Sequence, residues 1–295
     1  MPTPGYQALR EGAAILDLSA RGRIRASGED RKRLLHAMTT NHVQELEPGG
    51  TIYAFFLNAQ GRIQADVWIH AEEEHLLLDV EPEVREKVFA HLDKFIIADD
   101  VTLEDITATT AEIAVEGPNA APLPKQGVVF AATATGQPGF RMVVPLEERA
   151  SLIAALAAAG AVAASAEDVL AVRVENGVPR FGDDIADSNL VQETQQMQAV
   201  HFNKGCYLGQ EIVERVRSRG QVNRLLTRLR IEGATVPPSG EKVMAGDQEA
   251  GTLTSAAYSP SGGCVRALAY LRAKFIAPGA GLTVGGAAAE VVQQS

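Results

Sequence analysis

The stretch TIYAFFLNAQGRIQADVWIH, Thr51 to His70, contains two runs in which apolar and polar residues alternate. Alternation with a period of two predicts β-strands that each bury one face. The runs are joined by Asn58 to Gly61, and glycine supplies positive φ to a tight connection without steric strain. We therefore predict an antiparallel hairpin, which favours an α+β fold over a doubly wound parallel sheet.

The flanking sequence extends this pattern. Helical spacing is present in QALREGAAILDLS from Gln7, and further helices and strands alternate irregularly up to Asn223. From Leu226 onward, short strand-like runs are separated by PPSG, SPSGG and APGAG, which is typical of a small β-barrel. We predict an α+β unit at 1–223 and a C-terminal barrel at 224–295.

Composition excludes several classes of protein. With 46% hydrophobic and 22% charged residues, the 295-residue chain is an ordinary globular protein. The net charge of −10 argues against a sequence-independent nucleic-acid binder, so we expect no direct nucleic-acid partner. No apolar run is long enough to span a bilayer and the chain does not begin like a secretion signal, so we expect a cytoplasmic protein without a membrane partner.

Cysteine content argues against disulfides and metal sites. Two cysteines, Cys206 and Cys264, cannot form a disulfide framework, and CxxC and HxxxH pairs are absent from the sequence. The six histidines show no ligand spacing, so we predict no metal site. Six arginines lie between positions 215 and 230, and they form either a solvated helix face followed by a strand edge or an anion-binding site.

Asp66 lies in the second strand of the hairpin. In a strand it shares a face with Gln64 and Trp68, opposite Ile63 and Val67. A carboxylate, an amide and the one tryptophan of the chain suit the wall of a site for a flat heteroaromatic ligand. An exposed polar sheet face explains the same pattern equally well.

The segment RVENGVPRFGDD places Arg173 and Glu175 at the end of a predicted helix. A guanidinium and a carboxylate at such a position suit a bidentate ligand, such as an aminopyrimidine edge or a carboxylate. A charged pair that caps the helix terminus is the alternative, and the spacing does not choose between them.

The octapeptide KGCYLGQE, Lys204 to Glu211, places Cys206 just ahead of a helix predicted to begin near Gly209. The helix N-terminus and Lys204 both favour the thiolate over the thiol, which predicts a reactive cysteine. A small buried side chain in a glycine-containing turn is the alternative.

These motifs together resemble the YgfZ family, relatives of the glycine-cleavage T protein that include a mitochondrial iron-sulfur assembly factor. The resemblance lies in KGCYLGQE preceded by HFN, in RVENGVPRFGDD and LNAQGRIQAD, and in EGPNA, TLTSAAYSP and ALAYLR. It covers nearly the whole chain. It implies a T-protein-like folate-binding fold with two ferredoxin-like subdomains around a central channel and a C-terminal barrel.

The resemblance also implies functional residues. It gives the central role to Cys206, framed by Lys204, and it keeps Asp66 as the hairpin carboxylate associated with catalysis. It implies tetrahydrofolate or a derivative as the cofactor. We expect the folate contacts to come from the residues Asp66, Arg141, Arg173, Glu175, Tyr207 and Gln210.

Two departures argue against glycine cleavage. The T protein carries YTGxxGFE, whose tyrosine and glutamate contact folate, whereas this chain has ATGQPGFR with Ala134 and Arg141 at those places. The paired aspartates of its hairpin are reduced to Ala65 and Asp66. Arg141 could instead meet the anionic glutamyl tail.

Two hypotheses follow from the resemblance. In the first, the chain binds tetrahydrofolate and supports the assembly or repair of iron-sulfur enzymes, including tRNA-modifying radical enzymes, through Cys206 at the mouth of the channel. Its partners are then a small-molecule folate and iron-sulfur enzymes or assembly proteins. In the alternative, the chain is a folate-dependent aminomethyl- or methyltransferase that uses Asp66, and Cys206 is structural.

Overall fold

The computed structural model describes residues 1–220, 222–277 and 279–292. The helices are α1 (Pro4–Glu11), α2 (Arg31–Met38), α3 (Arg85–Phe95), α4 (Arg149–Ala158), α5 (Ala166–Asn176), α6 (Val191–Thr194) and α7 (Gln210–Arg219). The strands are β1 (Ala14–Asp17), β2 (Gly22–Ser27), β3 (Thr51–Leu57), β4 (Ile63–Ala71), β5 (His75–Val80), β6 (Thr102–Asp105), β7 (Thr110–Glu116), β8 (Val128–Phe130), β9 (Gly139–Pro145), β10 (Val162–Ala163), β11 (Arg224–Ile231), β12 (Lys242–Ala245), β13 (Gln248–Ser259), β14 (Cys264–Arg272), β15 (Leu282–Val284) and β16 (Ala287–Val291). Short 3-10 turns occur at Pro82–Val84, Leu146–Glu148, Met197–Ala199 and Ala273–Phe275.

The first sheet has the strand order β3-β4-β5-β2-β6. The predicted hairpin is confirmed: β3 and β4 pair antiparallel, with Trp68 opposite Tyr53 and Asp66 opposite Phe55. The register shifts between Phe56 and Leu57, close to the hairpin tip. The apolar residues of this sheet pack against α2 and α3. Leu35 of α2 is fully buried in the resulting core.

The second sheet has the strand order β10-β1-β7-β9-β8. The chain enters this sheet with β1, leaves for the whole of the first sheet, and returns with β7. The two sheets are therefore interleaved in sequence although each has its own apolar core. Such irregular alternation explains why a parallel, doubly wound arrangement does not form.

The C-terminal strands form a closed barrel in the order β11-β14-β13-β12-β15-β16. Helix α5 packs against β13 and β14 of the barrel. The barrel is therefore attached to the rest of the fold by packing and not by the chain connection alone. The α+β fold with two sheet subdomains and a terminal barrel is thus confirmed. The predicted boundary lies immediately before β11, whose first residue is Arg224.

One predicted element is wrong. The helical spacing from Gln7 to Ser19 predicts one helix, but α1 ends at Glu11 and β1 follows from Ala14. Gly12 has φ −131° and ψ −131°, which no helix accommodates. Strand β1 then gains ladder partners in β7 and β10, so tertiary pairing overrides the helical pattern.

The hairpin tip packs directly on the octapeptide. Gly209 has φ +83°, and a β-carbon there would lie 2.6 Å from the carbonyl oxygen of Asn58. Gly61 has φ +68°, and a β-carbon there would lie 2.8 Å from Cβ of Ile212 in α7. The second glycine of KGCYLGQE is therefore required by close backbone packing, and it fixes the start of α7 on the hairpin.

We predict that Gly61→Ala lowers the free energy of unfolding more than Gly49→Ala does. Gly49 also has positive φ, at +84°, but no atom lies within 4 Å of its β-position, so it reports backbone strain alone. That strain costs about 1 kcal/mol, and the clash with Ile212 adds at least about 1 kcal/mol at Gly61. Urea unfolding of both variants measures the difference, and equal losses would contradict the packing described here.

Candidate functional site

A cavity of about 660 Å³ lies between the two sheets and α5. The first sheet contributes Tyr53, Asp66 and Trp68, and the second sheet contributes Leu16 and Arg141 among others. Helix α5 and the segment that follows it close the remaining sides, with lining residues that include Ala166, Val169, Leu170, Arg173, Arg180 and Gln196. The volume is in the range of sites that bind small molecules, roughly 300–1,000 Å³.

Asp66 is buried in the wall of this cavity. Its Oδ2 accepts a hydrogen bond of 2.9 Å from the Tyr53 hydroxyl, whereas its Oδ1 is buried and has no hydrogen-bond partner among the described residues. Burial, followed by the nearby Glu81 carboxylate, raises the pKa of Asp66 to about 6. The ring of Tyr53 also contacts Trp68, with centroids 5.0 Å apart, so the carboxylate stands beside an aromatic surface. Asp66 and Trp68 of the predicted ligand wall line the cavity, whereas Gln64 does not.

A buried ionic network lies beside Asp66. Arg21 Nε donates to Asp79 Oδ1 at 2.6 Å, and Arg21 also pairs with Glu81. Arg141 pairs with the other oxygen of Asp79 and donates from Nη1 to Glu112 at 3.1 Å. Because Asp79 lies in the first sheet and Arg141 in the second, the network joins the two sheets across the cavity.

Two predicted folate contacts, Arg141 and Arg173, line the cavity but already have partners in the protein. Arg141 is 2% exposed and pairs with the carboxylates of Asp79 and Glu112. Arg173 pairs with Asp184 and donates from Nη2 to Ser255 Oγ at 3.0 Å, so it ties α5 to the barrel. Their role in binding a folate stays a prediction.

Glu175 lies outside the cavity lining. Its Oε1 accepts a hydrogen bond of 2.7 Å from Tyr6 of α1, and Arg10 is 3.8 Å from its Oε2. The hydroxyl of Ser261, in the turn between β13 and β14, contacts Tyr6 at 2.9 Å. Residues two apart on α5 point in different directions, so Arg173 reaches the cavity while Glu175 links α1 to the barrel.

Lys204 is buried and faces the end of α2. Its Nζ donates to the carbonyl oxygens of His36, Thr39 and Asn41, the last two at 2.6 and 3.0 Å. The Lys204 ammonium thus satisfies carbonyl oxygens at and just beyond the helix end, and the ammonium form is the one that donates to all three. Burial opposes that form and lowers the pKa of Lys204 to about 7. Lys204 thus anchors the octapeptide on α2, and its effect on the Cys206 thiol stays a prediction.

Cys206 is exposed and does not belong to the lining of the cavity. Tyr207, the next residue, is 8% exposed and packs into the core of the first sheet, while Gln210 is the first residue of α7. Neither lines the cavity. The octapeptide therefore lies apart from Asp66, and the expectation that Cys206 stands at the cavity mouth is not what the structure shows.

Three histidine rings contact one another next to the octapeptide, an arrangement that sequence spacing does not predict. The rings of His36 and His42 have centroids 4.8 Å apart, and those of His42 and His201 are 4.9 Å apart. A β-carbon at Gly205 would lie 3.7 Å from His36 Nε2. Burial and the nearby Lys204 lower the pKa of His36 to about 4, so this ring is neutral at neutral pH. Because Nδ1 accepts from the Gln44 backbone N–H, the proton is on Nε2 and faces the loop.

The arginines after the octapeptide are largely paired. Those whose side chains the structure describes each bind a glutamate or a backbone carbonyl: Arg215 to Glu211, Arg217 to Glu214, Arg224 to Glu193, Arg228 to the Glu175 carbonyl and Arg230 to Glu290. The side chain of Arg219 lies outside the described part. This pairing fits a solvated face better than an anion site.

Across 1–220, 222–277 and 279–292, no group of three or more His, Cys, Asp or Glu side chains has a geometry that could hold a metal ion. Within the same ranges, every helix is too short or too polar to span a lipid bilayer.

We predict that Lys204→Met lowers the free energy of unfolding by about 2–3 kcal/mol, because three buried carbonyls lose a charged donor. Lys94→Met, at an exposed position of α3, is the control and should change stability little. Urea unfolding measures both. A Lys204→Met variant as stable as the control would mean that the three carbonyls do not depend on the ammonium.

The chain is similar to two known domain families. Residues 4–128 match the model of the GCVT N-terminal domain, and residues 224–294 match that of the glycine cleavage T-protein C-terminal barrel domain. An aminomethyltransferase of Rubrobacter xylanophilus is 29% identical over 292 residues, covering 90% of this chain and 78% of that protein. A putative chloroplastic transferase of Arabidopsis thaliana is 26% identical over 306 residues, covering 94% of this chain and 69% of that protein.

A solved structure supports the same fold. The glycine cleavage system aminomethyltransferase T from Bartonella henselae superimposes with a TM-score of 0.88, covering 98% of this chain and 87% of that chain at 18% sequence identity. The chain is therefore built from the GCVT N-terminal domain and the glycine cleavage T-protein C-terminal barrel domain, joined in a T-protein-like fold.

Proposed function

We propose that this protein is a folate-dependent one-carbon transferase of the aminomethyl- or methyl-transfer class, with Asp66 as its acid-base residue. The observation that carries the proposal is the buried Asp66 Oδ1, which has no partner in the described part of the chain and belongs to a carboxyl with a pKa of about 6. Perturbed carboxyls in clefts are typical of functional sites. Relatives named aminomethyltransferase support the reaction class.

The cavity suits a folate in size and surface. A volume of about 660 Å³ accommodates a ligand of that class. The tilted pair of Tyr53 and Trp68 offers an aromatic surface for a flat ring, and Val169 and Leu170 of α5 add apolar contacts. Tetrahydrofolate supplies the nitrogen that accepts or releases the one-carbon group.

The residues around Asp66 tune it for proton transfer. A pKa of about 6 leaves the group mainly ionised at pH 7 but able to take up a proton at low cost. The Tyr53 hydroxyl holds one carboxylate oxygen in place, and the other has no hydrogen-bond partner among the described residues. Burial raises the pKa of Asp66 most, Glu81 raises it further, and Arg21 lowers it.

Glycine cleavage is not part of this proposal. Ala65 replaces one of the two hairpin aspartates of the T protein, and Ala134 and Arg141 stand where its folate-contacting tyrosine and glutamate are expected from the resemblance. The guanidinium of Arg141 has only donors, so it cannot provide the carboxylate contact of the T protein at that position.

A second candidate function rests on Cys206. This thiol is exposed, lies apart from the cavity, and follows a glycine that adjoins the neutral His36 ring. The arrangement suits a thiol step outside the folate site, as in the YgfZ-like role of supporting iron-sulfur enzymes. The sequence resemblance supports that role, together with its iron-sulfur protein partners and its link to tRNA modification.

One set of variants separates the two functions. We predict that tetrahydrofolate and 5-formyltetrahydrofolate raise the thermal stability of the wild type and of Cys206→Ala alike, because Cys206 does not line the cavity. At about a hundred times the dissociation constant, the ligand adds roughly 2.7 kcal/mol. Thermal unfolding with and without ligand measures this. Absence of a shift in the wild type would contradict the folate site.

Activity then assigns the residues. For the transferase, Asp66→Asn should lower one-carbon transfer from or to the folate by about a hundredfold or more while Cys206→Ala retains it. For the iron-sulfur role, Cys206→Ala should fail to restore iron-sulfur enzyme activity in cells that lack the protein. If Cys206→Ala fully restored iron-sulfur enzyme activity while Asp66→Asn lost one-carbon transfer, the thiol role would be refuted and the transferase function would stand.

We also predict that Asp66→Asn stabilises the protein at pH 8. The carboxyl has a pKa of about 6 when folded and 3.8 as its ordinary value, so the folded state holds the proton more tightly. The contribution of this carboxyl to stability is therefore highest below about pH 4, falls as the pH rises to about 6, and stays lower above it by up to about 3 kcal/mol. Urea unfolding between pH 4 and 8 measures this. The free energy of unfolding of the variant should increase relative to that of the wild type as the pH rises.

Asp17→Asn is the matched control, because Asp17 also lines the cavity. Although burial raises the pKa of Asp17, hydrogen bonds from Arg149 and Ser19 lower it overall. Its carboxylate stabilises the fold above the ordinary pKa, so this variant should lose stability at neutral pH. If Asp66→Asn behaves like Asp17→Asn, the raised pKa of Asp66 is refuted.

A further inference from the structure

Arg141 presents unused donors at the cavity wall. It is 2% exposed, yet within the described residues hydrogen bonds are recorded only for its Nη1, to Asp79 and Glu112. Its Nε is buried without a partner. A guanidinium has donors on all three nitrogens and accepts nothing. A ligand atom that meets Arg141 in the cavity must therefore be an acceptor.

The charge around Arg141 decides which kind of acceptor fits. Three guanidiniums, Arg21, Arg23 and Arg141, are interleaved with three carboxylates, Asp79, Glu81 and Glu112. Arg180 also pairs with Glu81, so every guanidinium of the cluster already has a carboxylate partner. An added carboxylate would lose its hydration without meeting an unpaired cation, whereas a neutral carbonyl oxygen loses far less.

The outer part of the cavity is more hydrated. Arg180 lines the cavity with its side chain 29% exposed, and it binds Glu81 at 2.8 Å and Glu83 at 2.7 Å. Water reaches this part, so an anionic chain keeps its hydration there. The glutamyl tail of a folate is therefore better accommodated near Arg180 than near Arg141.

We propose that Arg141 determines specificity by donating to a neutral carbonyl oxygen on the heteroaromatic ring, the 4-oxo group of a pterin. The inference rests on the proposed function, because it takes a folate as the ligand. Asp79 connects Arg141 to Arg21, and Arg21 acts electrostatically on Asp66. On a pterin the 4-oxo group and N5 lie at neighbouring positions of the two fused rings. The donor of Arg141 and the proton acceptor of Asp66, which line one cavity, suit these two groups.

The 4-amino analogues provide the test. Aminopterin differs from folic acid by an amino group in place of the 4-oxo group, so it would turn N–H donors toward the Arg141 donors. A site built to donate to an oxygen rejects such an analogue, and we expect the wild type to bind folic acid at least about tenfold more tightly than aminopterin. Calorimetric titration of both ligands, in their oxidised and tetrahydro forms, measures the ratio.

Variants assign the ratio to Arg141. Arg141→Lys keeps the charge but loses the planar set of donors, and the preference should fall to about one. Arg23→Lys is the matched control, because Arg23 is fully buried in the same network, 3.8 Å from Glu112, but does not line the cavity. This variant should retain the wild-type ratio. The wild-type comparison stands even if a variant fails to fold.

A third pair of ligands separates ring from tail. Pteroic acid and 4-amino-4-deoxypteroic acid lack the glutamate, and they should show the same preference and the same dependence on Arg141. Wild-type protein that binds both ring types equally, a preference that survives in Arg141→Lys, or one that disappears with the glutamate would each overturn the assignment while folate binding stands. Wild-type protein that binds none of these ligands, nor tetrahydrofolate, would overturn the proposed function and this inference with it.

Discussion

The carboxylate of Asp79 is the contact on which the arrangement of the two sheets depends. It lies in β5 of the first sheet, bonds Arg21 from one side and meets Arg141 of β9 from the other. A buried ion pair contributes little net stability when complete, but removing one member leaves an uncompensated charge away from water. The pairing therefore allows few alternatives, and it sets how the sheets face each other across the cavity.

One hairpin serves two separate regions of the molecule. Asp66 and Trp68, in the middle of β4, form the cavity wall, while the tip at Gly61 packs against α7. The octapeptide is held at this tip by Gly209 and on α2 by Lys204. The fold thus holds a buried carboxyl and an exposed thiol on one hairpin without placing them in one pocket.

Regular elements were largely predictable because their signals are local. The hairpin, α5 and the start of α7 follow from periodicity and from glycine positions, and the barrel follows from its turn-rich composition. The junction of α1 and β1 was missed because strand pairing across the second sheet outweighs helical spacing. The cluster of His36, His42 and His201 was out of reach, because its rings come from distant segments and meet only in the folded chain.

The chemistry of a charged side chain does not reveal whether its partner is a ligand or the protein. Arg173 and Glu175 have the properties of ligand-binding groups, yet one binds Asp184 and the other binds Tyr6. Both positions hold α5 against its neighbours, a role that sequence spacing left open. A buried polar atom without a hydrogen-bond partner, on a residue that also lines a cavity, is therefore the better indicator of a ligand contact. Within the described residues, Asp66 Oδ1 and Arg141 Nε are both buried without a partner, and these two residues line one cavity from opposite sheets.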